Sequence, residues 1–422
     1  MRVLMIAANT EHINLPTLPL GASLVAAATR AAGHRVEFVD LMNEVDPSAA
    51  VRRAVETAQP DVIGLSVRNI DDQDMAAPVF LLDKVRSVGA ACRQASAAPI
   101  VLGGAGYSIF PAAVLTELGA DLGICGEGEE AFPRLLDCIA AGGDPTALAG
   151  VHAPGRQPAV PRSMVADLDH LPPPGPELWE GADLERSDVW VPVQTRRGCP
   201  YSCSYCSTPQ IEGHLLRTRS PELVTRQLAS MAAAGIRRVQ FVDNIFNIPA
   251  RYTLDLCRRI AGLDAHLAWQ CILYPKDVGP ELAEAMAAAG CVSVSLGFES
   301  GCDRMLRALG KRFSSADVRR TSAVLAEHGI RRWGFLLLGG PGETRESVSE
   351  SLDFIQSLDL DMFTATIGIR VYPNTPLAET AAAEGILDRS DTLLRPTFYV
   401  TPGLEEGWIR EEVKHRLGAE AL

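Results

Sequence analysis

Short apolar runs alternate with amphipathic stretches along the first 150 residues of the chain. Residues 3–7, 62–66 and 100–102 are runs of strand length that end near glycine or polar residues. Between such runs, residues 19–33 carry apolar side chains at helical spacing and stop at a glycine. Strands separated by helices predict a parallel, doubly wound, Rossmann-like α/β sheet as the first domain, over residues 1–150. Two further strands are predicted at residues 35–39 and 122–124.

The turns that follow these strands are rich in glycine and polar residues. In a parallel open sheet, ligands bind outside the carboxyl ends of the strands, so a ligand of this domain is expected there. No Gly-x-Gly-x-x-Gly motif follows the first strand, which argues against a dinucleotide. The turns in question are residues 9–11, 66–69, 103–106 and 126–129.

Proline is concentrated in the middle of the chain, and a second alternation of strands and helices follows. The proline density prevents helix and interior strand, so residues 151–187 are predicted to be a linker. Beyond it, six strand-and-helix units are too few for an eight-stranded barrel and predict a partial (β/α)6 barrel over residues 188–400, followed by a short tail at 401–422. The barrel strands are predicted at residues 189–195, 238–242, 267–273, 292–298, 333–338 and 363–371.

Several barrel helices have recognisable start signals. Ser220 precedes a proline at the first helical position, which favours a capped helix start there. Thr344 is expected to cap the helix that follows it, and Ser314 or Ser315 the helix before that one.

Charge and hydropathy narrow the class of protein. Apolar residues make up 47% of the chain and charged residues 22%, which is ordinary for a globular protein. The net charge of -13 argues against nucleic acid as a partner, because phosphate binding depends on Lys and Arg. No apolar run approaches the ~18 residues of a membrane span. We therefore expect a cytoplasmic protein without a membrane partner.

Three of the ten cysteines are clustered directly after the first barrel strand, in the sequence RGCPYSCSYC. Cys199, Cys203 and Cys206 have the spacing Cys-x3-Cys-x2-Cys. A structural zinc site needs four closed ligands, and the nearest histidine, His214, lies at a long gap. Iron–sulfur clusters take Cys thiolates, and three protein ligands leave one iron open to a small molecule. The spacing favours a four-iron cluster over zinc.

This cysteine motif on a six-unit barrel resembles the radical SAM superfamily. The resemblance implies that the open iron binds the amino and carboxylate groups of S-adenosylmethionine (SAM), and that reductive cleavage gives a 5′-deoxyadenosyl radical. Tyr205 matches the aromatic residue that lies near the adenine in that family. An external electron donor of the flavodoxin or ferredoxin type is also implied.

The ends of the later barrel strands supply further candidates under this resemblance. The family often has Gly-Gly-Glu after the second strand; here Asp243 is the substitute for its contact to the SAM amino group, or else a satisfied strand-end Asp. Glu299 is expected to bind the ribose hydroxyls. Gly339 and Gly340 allow close approach of a ligand. Arg370 needs an anionic partner, either the SAM carboxylate or a structural Glu.

The first domain resembles the cobalamin-binding domain of the cobalamin-dependent radical SAM class. The resemblance is carried by residues 19–24, 32–34, 102–104 and 126–129. The Asp-x-His-x-x-Gly motif is absent, so cobalamin is expected to lack a protein His ligand. Arg68 is expected at the lower face of the cobalt, or alternatively paired with Asp71 or Asp72. The other expected cobalamin contacts are Gly103, Gly104, Ser108, Gly126 and Glu127.

Taken together, the resemblance implies C-methylation of an unactivated carbon of a small metabolite. One alternative is a non-methylating radical reaction, such as a diol dehydration or a rearrangement, with a cobalamin-type domain that binds nothing; the dehydratase of apramycin biosynthesis is similar in layout. A second alternative is a cobalamin- or cluster-binding sensor without turnover.

Overall fold

The computed structural model describes residues 1–11, 16, 18–156 and 158–422. Within them, the N-terminal half forms a six-stranded sheet in the order β2-β1-β3-β4-β5-β6. Its first five strands are parallel, and β6 is an antiparallel edge strand. The strands are β1 (Arg2–Ala7), β2 (Arg35–Asp40), β3 (Val62–Ser66), β4 (Ile100–Gly103), β5 (Leu122–Ile124) and β6 (Val151–His152).

Helices cover both faces of this sheet. The first predicted helix is confirmed, beginning at Leu20 and ending at Ala31. The helices of this half are α1 (Leu20–Ala31), α2 (Pro47–Ala58), α3 (Leu82–Ala95), α4 (Ala105–Ile109), α5 (Pro111–Leu118) and α6 (Gly128–Ala140), with a 3-10 turn at Pro145–Ala147.

The second half forms an open barrel. Within the described residues its sheet has six parallel strands in the order β14-β13-β12-β11-β10-β7, and its two end strands do not pair. The prediction of a partial barrel behind a doubly wound domain is confirmed. The strands of this half are β7 (Val191–Val193), β8 (Arg196–Arg197), β9 (Arg217–Thr218), β10 (Arg238–Phe241), β11 (Ala268–Leu273), β12 (Cys291–Glu299), β13 (Arg331–Leu338), β14 (Met362–Ile367), β15 (Ile369–Arg370) and β16 (Phe398–Tyr399).

Helices follow the barrel strands, and the predicted caps are present. Ser220 accepts a hydrogen bond from the Leu223 N–H, while Ser314 and Thr344 each form a capping box. The helices are α7 (Thr208–Glu212), α8 (Pro221–Ala233), α9 (Ala250–Ala261), α10 (Pro280–Ala288), α11 (Asp303–Ala308), α12 (Ser315–Glu327), α13 (Arg345–Gln356), α14 (Pro376–Ala383) and α15 (Glu406–Leu417), with 3-10 turns at Leu168–His170, Pro176–Leu178 and Ala419–Ala421.

Two details of the barrel differ from the sequence prediction. The strand predicted at residues 363–371 divides into β14 and the short β15, because Gly368 between them has φ +77° and a Cβ there would lie 2.2 Å from the Met75 sulfur. The residues after 400, predicted to be a short tail, fold against the barrel. They form α15, and Ile409, Val413 and Leu417 are part of the barrel core.

The segment between the two sheets packs against the first domain. Glu177 accepts hydrogen bonds from Ser23 at 3.1 Å and from Arg30 at 2.8 Å, both on α1. The domain boundaries at residues 150, 187 and 400 remain predictions. Among the described residues, no helix combines the length and apolar character that crossing a bilayer requires.

Candidate active site

The three clustered cysteines lie on a loop between β8 and α7 that is fixed to its neighbours by backbone hydrogen bonds. The Cys199 N–H donates to the Gly213 carbonyl at 3.1 Å, and the Ser204 N–H donates to the Leu309 carbonyl at 3.0 Å. Gly198 has φ +84°, and a Cβ there would lie 2.2 Å from the Leu215 carbonyl oxygen. Only glycine allows this close crossing of two chain segments.

The thiols on this loop are more accessible than the cysteines of the barrel core. Cys199, Cys203 and Cys206 are partly accessible, whereas Cys257 and Cys271 are buried in the barrel core. Burial raises the pKa of Cys199, and it raises the pKa of Cys203 to about 11. Within the described residues no three His, Cys, Asp or Glu side chains are grouped to hold a single metal ion. Three partly accessible thiols on one loop fit an iron–sulfur cluster, which takes Cys thiolates as ligands.

Beside this loop, Tyr205 and Glu299 meet a lysine that the sequence analysis did not find. The Tyr205 hydroxyl donates to Glu299 Oε1 at 2.9 Å, and Lys311 Nζ donates to the same oxygen at 3.1 Å and to the Gly297 carbonyl at 3.1 Å. Burial lowers the pKa of Lys311, but the Glu299 carboxylate more than offsets this, so its pKa is raised. The lysine is therefore charged, and the pair places a carboxylate next to the cluster loop.

Glu299 has an unusual backbone conformation at the end of β12. Its φ is +68°, and the register between β12 and β13 shifts just before it. A non-glycine residue with positive φ is strained, and such strain is concentrated at functional positions. The conformation turns the carboxylate toward Tyr205 and Lys311.

The structure supports the second interpretation of Asp243, in which it is a strand-end Asp whose hydrogen bonds are satisfied within the protein. Its side chain is fully buried and accepts hydrogen bonds from the Thr195 N–H at 2.7 Å, the Thr195 hydroxyl at 2.6 Å and the Arg196 N–H at 3.1 Å. Arg196 Nε lies 3.2 Å from the same carboxylate. Both oxygens are therefore engaged, so Asp243 is not available for the expected contact to the SAM amino group.

Arg370 also has an internal partner, although the acid is not a Glu. Its Nε donates to Asp71 at 2.9 Å, and the two side chains are each only 2% exposed. A further guanidinium nitrogen donates to the Leu393 carbonyl at 2.8 Å. This pair joins the first domain to the end of the barrel, and it removes Asp71 as a partner for Arg68.

The carboxylate of Glu343 fixes the glycine turn that follows β13. The N–H groups of Gly339 and Gly340 donate to the Glu343 carboxylate, the second at 3.0 Å. Burial raises the pKa of Glu343 to about 7, and the two N–H groups partly oppose that shift. Gly339 and Gly340 are buried, and a Cβ on either would meet protein atoms at 3.4–3.6 Å, so protein atoms occupy the space that was expected for a ligand.

A cavity of about 490 Å³ lies between the two domains. The first domain lines it with the carboxyl ends of its strands, as expected for a parallel sheet. The barrel lines it with Pro192, Gln194 and Asn244. All six residues expected to contact cobalamin line this cavity: Arg68, Gly103, Gly104, Ser108, Gly126 and Glu127.

The cavity wall fits a large plate-like ligand. A Cβ at Gly21 or Gly103 would meet nothing within 4 Å, so bare backbone faces open space there. Ser108 joins two of the turns: its hydroxyl donates to the Gly104 carbonyl at 2.9 Å and accepts the Gly126 N–H at 2.9 Å. Asp40 also lines the cavity, and burial raises its pKa to about 6.

Buried ion pairs connect this wall to the cluster loop. Glu127 and Glu129, at the start of α6, contact two arginines of the barrel. Arg217 donates to Glu127 at 2.8 Å, and Arg197 lies two residues before Cys199 and pairs with Glu129. Glu127 therefore holds the two domains together in addition to lining the cavity.

Glu212 is a further residue of the site that the sequence analysis missed. It lies on α7, lines the cavity, and accepts the Gly198 N–H at 3.0 Å and Gln194 Nε2 at 2.8 Å. Burial raises the pKa of Glu212, against the effect of these donors and of Arg197. No local signal in the sequence distinguishes it from a surface Glu, because α7 is only five residues long.

Two family models match the chain in the regions that carry these features. The B12 binding domain matches residues 6–136, and the radical SAM superfamily matches residues 193–355. An uncharacterized methyltransferase of Pyrococcus horikoshii is 26% identical over 92% of this chain and 84% of its own length. The tryptophan 2-C-methyltransferase of Streptomyces laurentii is 24% identical over 89% of this chain and 74% of its own.

Solved structures agree with these matches. The radical SAM methyltransferase TsrM from Kitasatospora setae, with cobalamin and a [4Fe-4S] cluster bound, superposes with a TM-score of 0.80 and 25% identity, over 90% of this chain and 74% of that one. The cobalamin-dependent radical SAM enzyme OxsB shares the fold, with a TM-score of 0.77 at 16% identity over 95% of this chain and 64% of that one.

The chain belongs to the cobalamin-dependent radical SAM enzymes. Its B12-binding domain precedes a radical SAM barrel, as expected from the sequence. The Pyrococcus and Streptomyces relatives and TsrM each match 89% to 92% of this chain, so the similarity extends over both domains.

Proposed function

We propose that this protein is a C-methyltransferase that acts on a small metabolite. It would hold a [4Fe-4S] cluster on Cys199, Cys203 and Cys206, SAM beside that cluster, and cobalamin in the cavity between the domains. The bound groups supply the chemistry: the cluster delivers the electron that cleaves SAM, and cobalamin carries the methyl group.

The observation that carries this proposal is the shared wall of the cavity. The strand ends of the B12-binding domain and the segment adjoining the cluster loop line the same 490 Å³ space. Gly103 and Gly126 come from the first domain, and Thr208 and Glu212 follow the last cluster cysteine. Methyl transfer to carbon needs both reactive groups close to one substrate atom, and the shared wall supports such an arrangement.

The chain's own residues hold the two halves in register. Arg197 is buried, pairs with Glu129 of the first domain, and directly precedes the cysteine loop. Ser108 joins two turns of the cavity wall. A fixed wall keeps reacting atoms aligned and limits the entry of water.

The remaining features of the proposal concern the cellular context. We expect the electrons to come from a flavodoxin or ferredoxin, and the protein to act in the cytoplasm without nucleic acid or membrane partners. The net charge of -13 supports the expectation about nucleic acid.

The test is anaerobic incubation of the reconstituted protein with SAM, cobalamin and a reductant. Formation of S-adenosylhomocysteine together with 5′-deoxyadenosine supports radical methyl transfer. 5′-Deoxyadenosine alone would support a dehydration or rearrangement instead, and neither product would support the sensor. The variant with Cys199, Cys203 and Cys206 replaced by Ala is the control for background cleavage.

A further inference from the structure

The loop that carries the three clustered cysteines has one side in the interior and one side open to solvent. Tyr205 packs against the hydrophobic core of the first domain, and the Ser204 carbonyl accepts the Leu377 N–H at 2.9 Å. Pro200 and Ser202, by contrast, are exposed, although each is adjacent in sequence to a cluster cysteine. The exposed side is therefore where another protein can come close to the cysteines.

The segment that follows α11 extends this exposed side. A Cβ at Gly310 would lie 2.8 Å from the Ser202 carbonyl oxygen and 3.4 Å from the Cys203 Cα, so the two segments cross with no side chain between them. Two residues further on, Arg312 is exposed, and its guanidinium carbon lies 5.6 Å from the centre of the Tyr201 ring. A positive charge therefore stands at the surface directly beside the cysteine loop.

The cations of this segment have no acidic partner. Arg307, near the end of α11, and Arg312 are exposed, and within the described residues neither guanidinium has a carboxylate oxygen within 4.0 Å. The same holds for Lys276, whose Nζ donates to the Arg312 carbonyl at 2.9 Å. Asp277 is the exposed acid next to it in sequence.

The other acids near this segment are engaged at the start of α12. Asp303 accepts the Ser315 N–H at 2.7 Å, and Asp317 accepts the N–H and the hydroxyl of Ser314 and pairs with Arg320. Even with Asp277 and Asp303 both counted, the three unpaired cations are in excess. The area is therefore positive, although the chain as a whole has a net charge of -13.

An exposed apolar residue lies on the other flank of the cysteine loop. Leu215 is 74% exposed, and its carbonyl oxygen lies 2.2 Å from the position of a Cβ at Gly198. An apolar contact with charged residues around it is the usual composition of a protein interface. The cluster-loop surface, as we call it, consists of five exposed residues: Pro200, Ser202, Leu215, Arg307 and Arg312.

We propose that the cluster-loop surface is the docking site for a small acidic redox protein that reduces the cluster. The inference rests on the proposed function in one respect, namely that this loop holds the [4Fe-4S] cluster. One electron leaves the reduced cofactor of the partner and enters the cluster, so no bond forms or breaks and no proton has to move. Unpaired cations attract an acidic partner, and electron-transfer complexes are small enough for a surface of this size.

The experiment measures the binding of an acidic flavodoxin to the full-length protein, with its cluster reconstituted, under anaerobic conditions at low and high ionic strength. Arg312→Glu is compared with Arg226→Glu on α8, which makes the same change in net charge at another exposed arginine. At low ionic strength we expect Arg312→Glu to raise the dissociation constant roughly 10-fold and Arg226→Glu to leave it within about twofold. Salt should weaken wild-type binding and reduce this difference.

A second measurement follows the reduction of the cluster by electron paramagnetic resonance. Arg312→Glu should slow reduction by the flavodoxin hydroquinone by a similar factor. It should not slow reduction by the methyl viologen radical, a small cation that needs no docking surface. Equal binding of flavodoxin by Arg312→Glu and Arg226→Glu overturns the inference, and so does wild-type protein that binds neither this flavodoxin nor an acidic ferredoxin.

A second variant protects the test from a local disturbance. If Arg312→Glu also alters reduction by methyl viologen, the substitution has affected the cluster through Tyr201, and Arg307→Glu takes its place with the same expectation. An unchanged dissociation constant for Arg307→Glu then overturns the inference.

Failure of the proposed function has a different signature. Flavodoxin that reduces the cluster through this surface, with no S-adenosylhomocysteine formed, would contradict methyl transfer and support the docking site. Methyl transfer supported by methyl viologen, together with flavodoxin binding that is indifferent to Arg312→Glu, would contradict the docking site alone.

Discussion

Glu299 is the residue for which sequence and structure together make the sharpest prediction. Glu299→Gln should raise the SAM dissociation constant by roughly 10- to 150-fold if the carboxylate accepts the ribose hydroxyls. It should also lower the melting temperature, because Lys311 is 6% exposed and loses the partner 3.1 Å away. Equilibrium dialysis and thermal unfolding measure the two effects separately.

The double variant Glu299→Gln with Lys311→Met distinguishes ligand binding from structural pairing. It removes both charges, so most of the lost melting temperature should return. SAM binding should remain weak. If the double variant binds SAM as tightly as wild type, Glu299 is only a structural partner of Lys311.

Asp40 gives a prediction about pH. Burial raises its pKa from 3.8 to about 6, so the folded protein favours the neutral acid. The stability that this carboxyl contributes is complete below about pH 4 and is lost as the pH rises through 6. Asp40→Asn should therefore gain stability over wild type across this window, by up to about 3 kcal/mol. Thermal unfolding of both proteins without cobalamin between pH 4 and pH 8 measures the difference.

The Asp40 prediction has a clear contrary outcome. A difference between Asn and wild type that does not change from pH 4 to pH 8 would mean that the carboxyl is ionised in the folded protein. Asp61, which is exposed and whose pKa Arg2 lowers, is the control with the opposite sign of pH dependence.

At the residue scale, the sequence predicts those site residues that lie close together along the chain. Cys199, Cys203 and Cys206 lie within eight residues, so their common function is visible without a fold. Lys311 and Glu212 could not be found, because each reaches the site through contacts set by topology. The partners of Asp243 and Arg370 were likewise out of reach: a buried acid and its donors come from separate strands.

At the scale of elements, the strands were predictable because buried parallel strands are continuous or alternating apolar runs. β12 shows why: Val294, Leu296 and Phe298 are buried, while Ser295 and Gly297 on the other face are partly exposed. The two-residue β6 is too short to give a pattern. The division at Gly368 depends on a contact with Met75 of the first domain, which no local rule contains.

The loop between β8 and α7 is the element with the most direct test. Replacing Cys199, Cys203 and Cys206 by Ala should abolish the broad absorbance near ~400 nm of a thiolate iron–sulfur cluster. The fold should persist, since the loop is also held through Ser204 and Gly213. Iron content and the absorbance spectrum of anaerobically reconstituted protein measure the effect.

The result that would contradict the cluster assignment is equally specific. A triple variant that still binds about four irons per chain would place the ligands elsewhere, and wild-type protein with one zinc per chain would identify a different site. Replacing Cys257, a cysteine buried in the barrel core, is the control and should leave the iron content unchanged.

At the scale of the whole molecule, the function requires that the domains keep one relative position. The structure achieves this with buried charges on both sides of the interface: Glu129 with Arg197, and Asp71 with Arg370. Neither pair was predictable, because each joins segments far apart in the sequence. Buried pairs of this kind add little net stability, but breaking one leaves an unpaired charge in the interior.

The Asp71–Arg370 pair provides the test of that view. Asp71→Asn should destabilise the protein by roughly 3–5 kcal/mol, because Arg370 is then buried beside a neutral amide. The control is Glu117→Gln, which removes a carboxylate that pairs with Arg395 across the same two domains and with Arg86 within the first. Both arginines are exposed to solvent, so the loss should cost no more than about 1 kcal/mol per pair. Denaturant unfolding measures both.

Because the cavity lies between the domains, Asp71→Asn should also retain less cobalamin through gel filtration than the control. Equal stability and equal retention in the two variants would mean that the buried pair does not fix the domains.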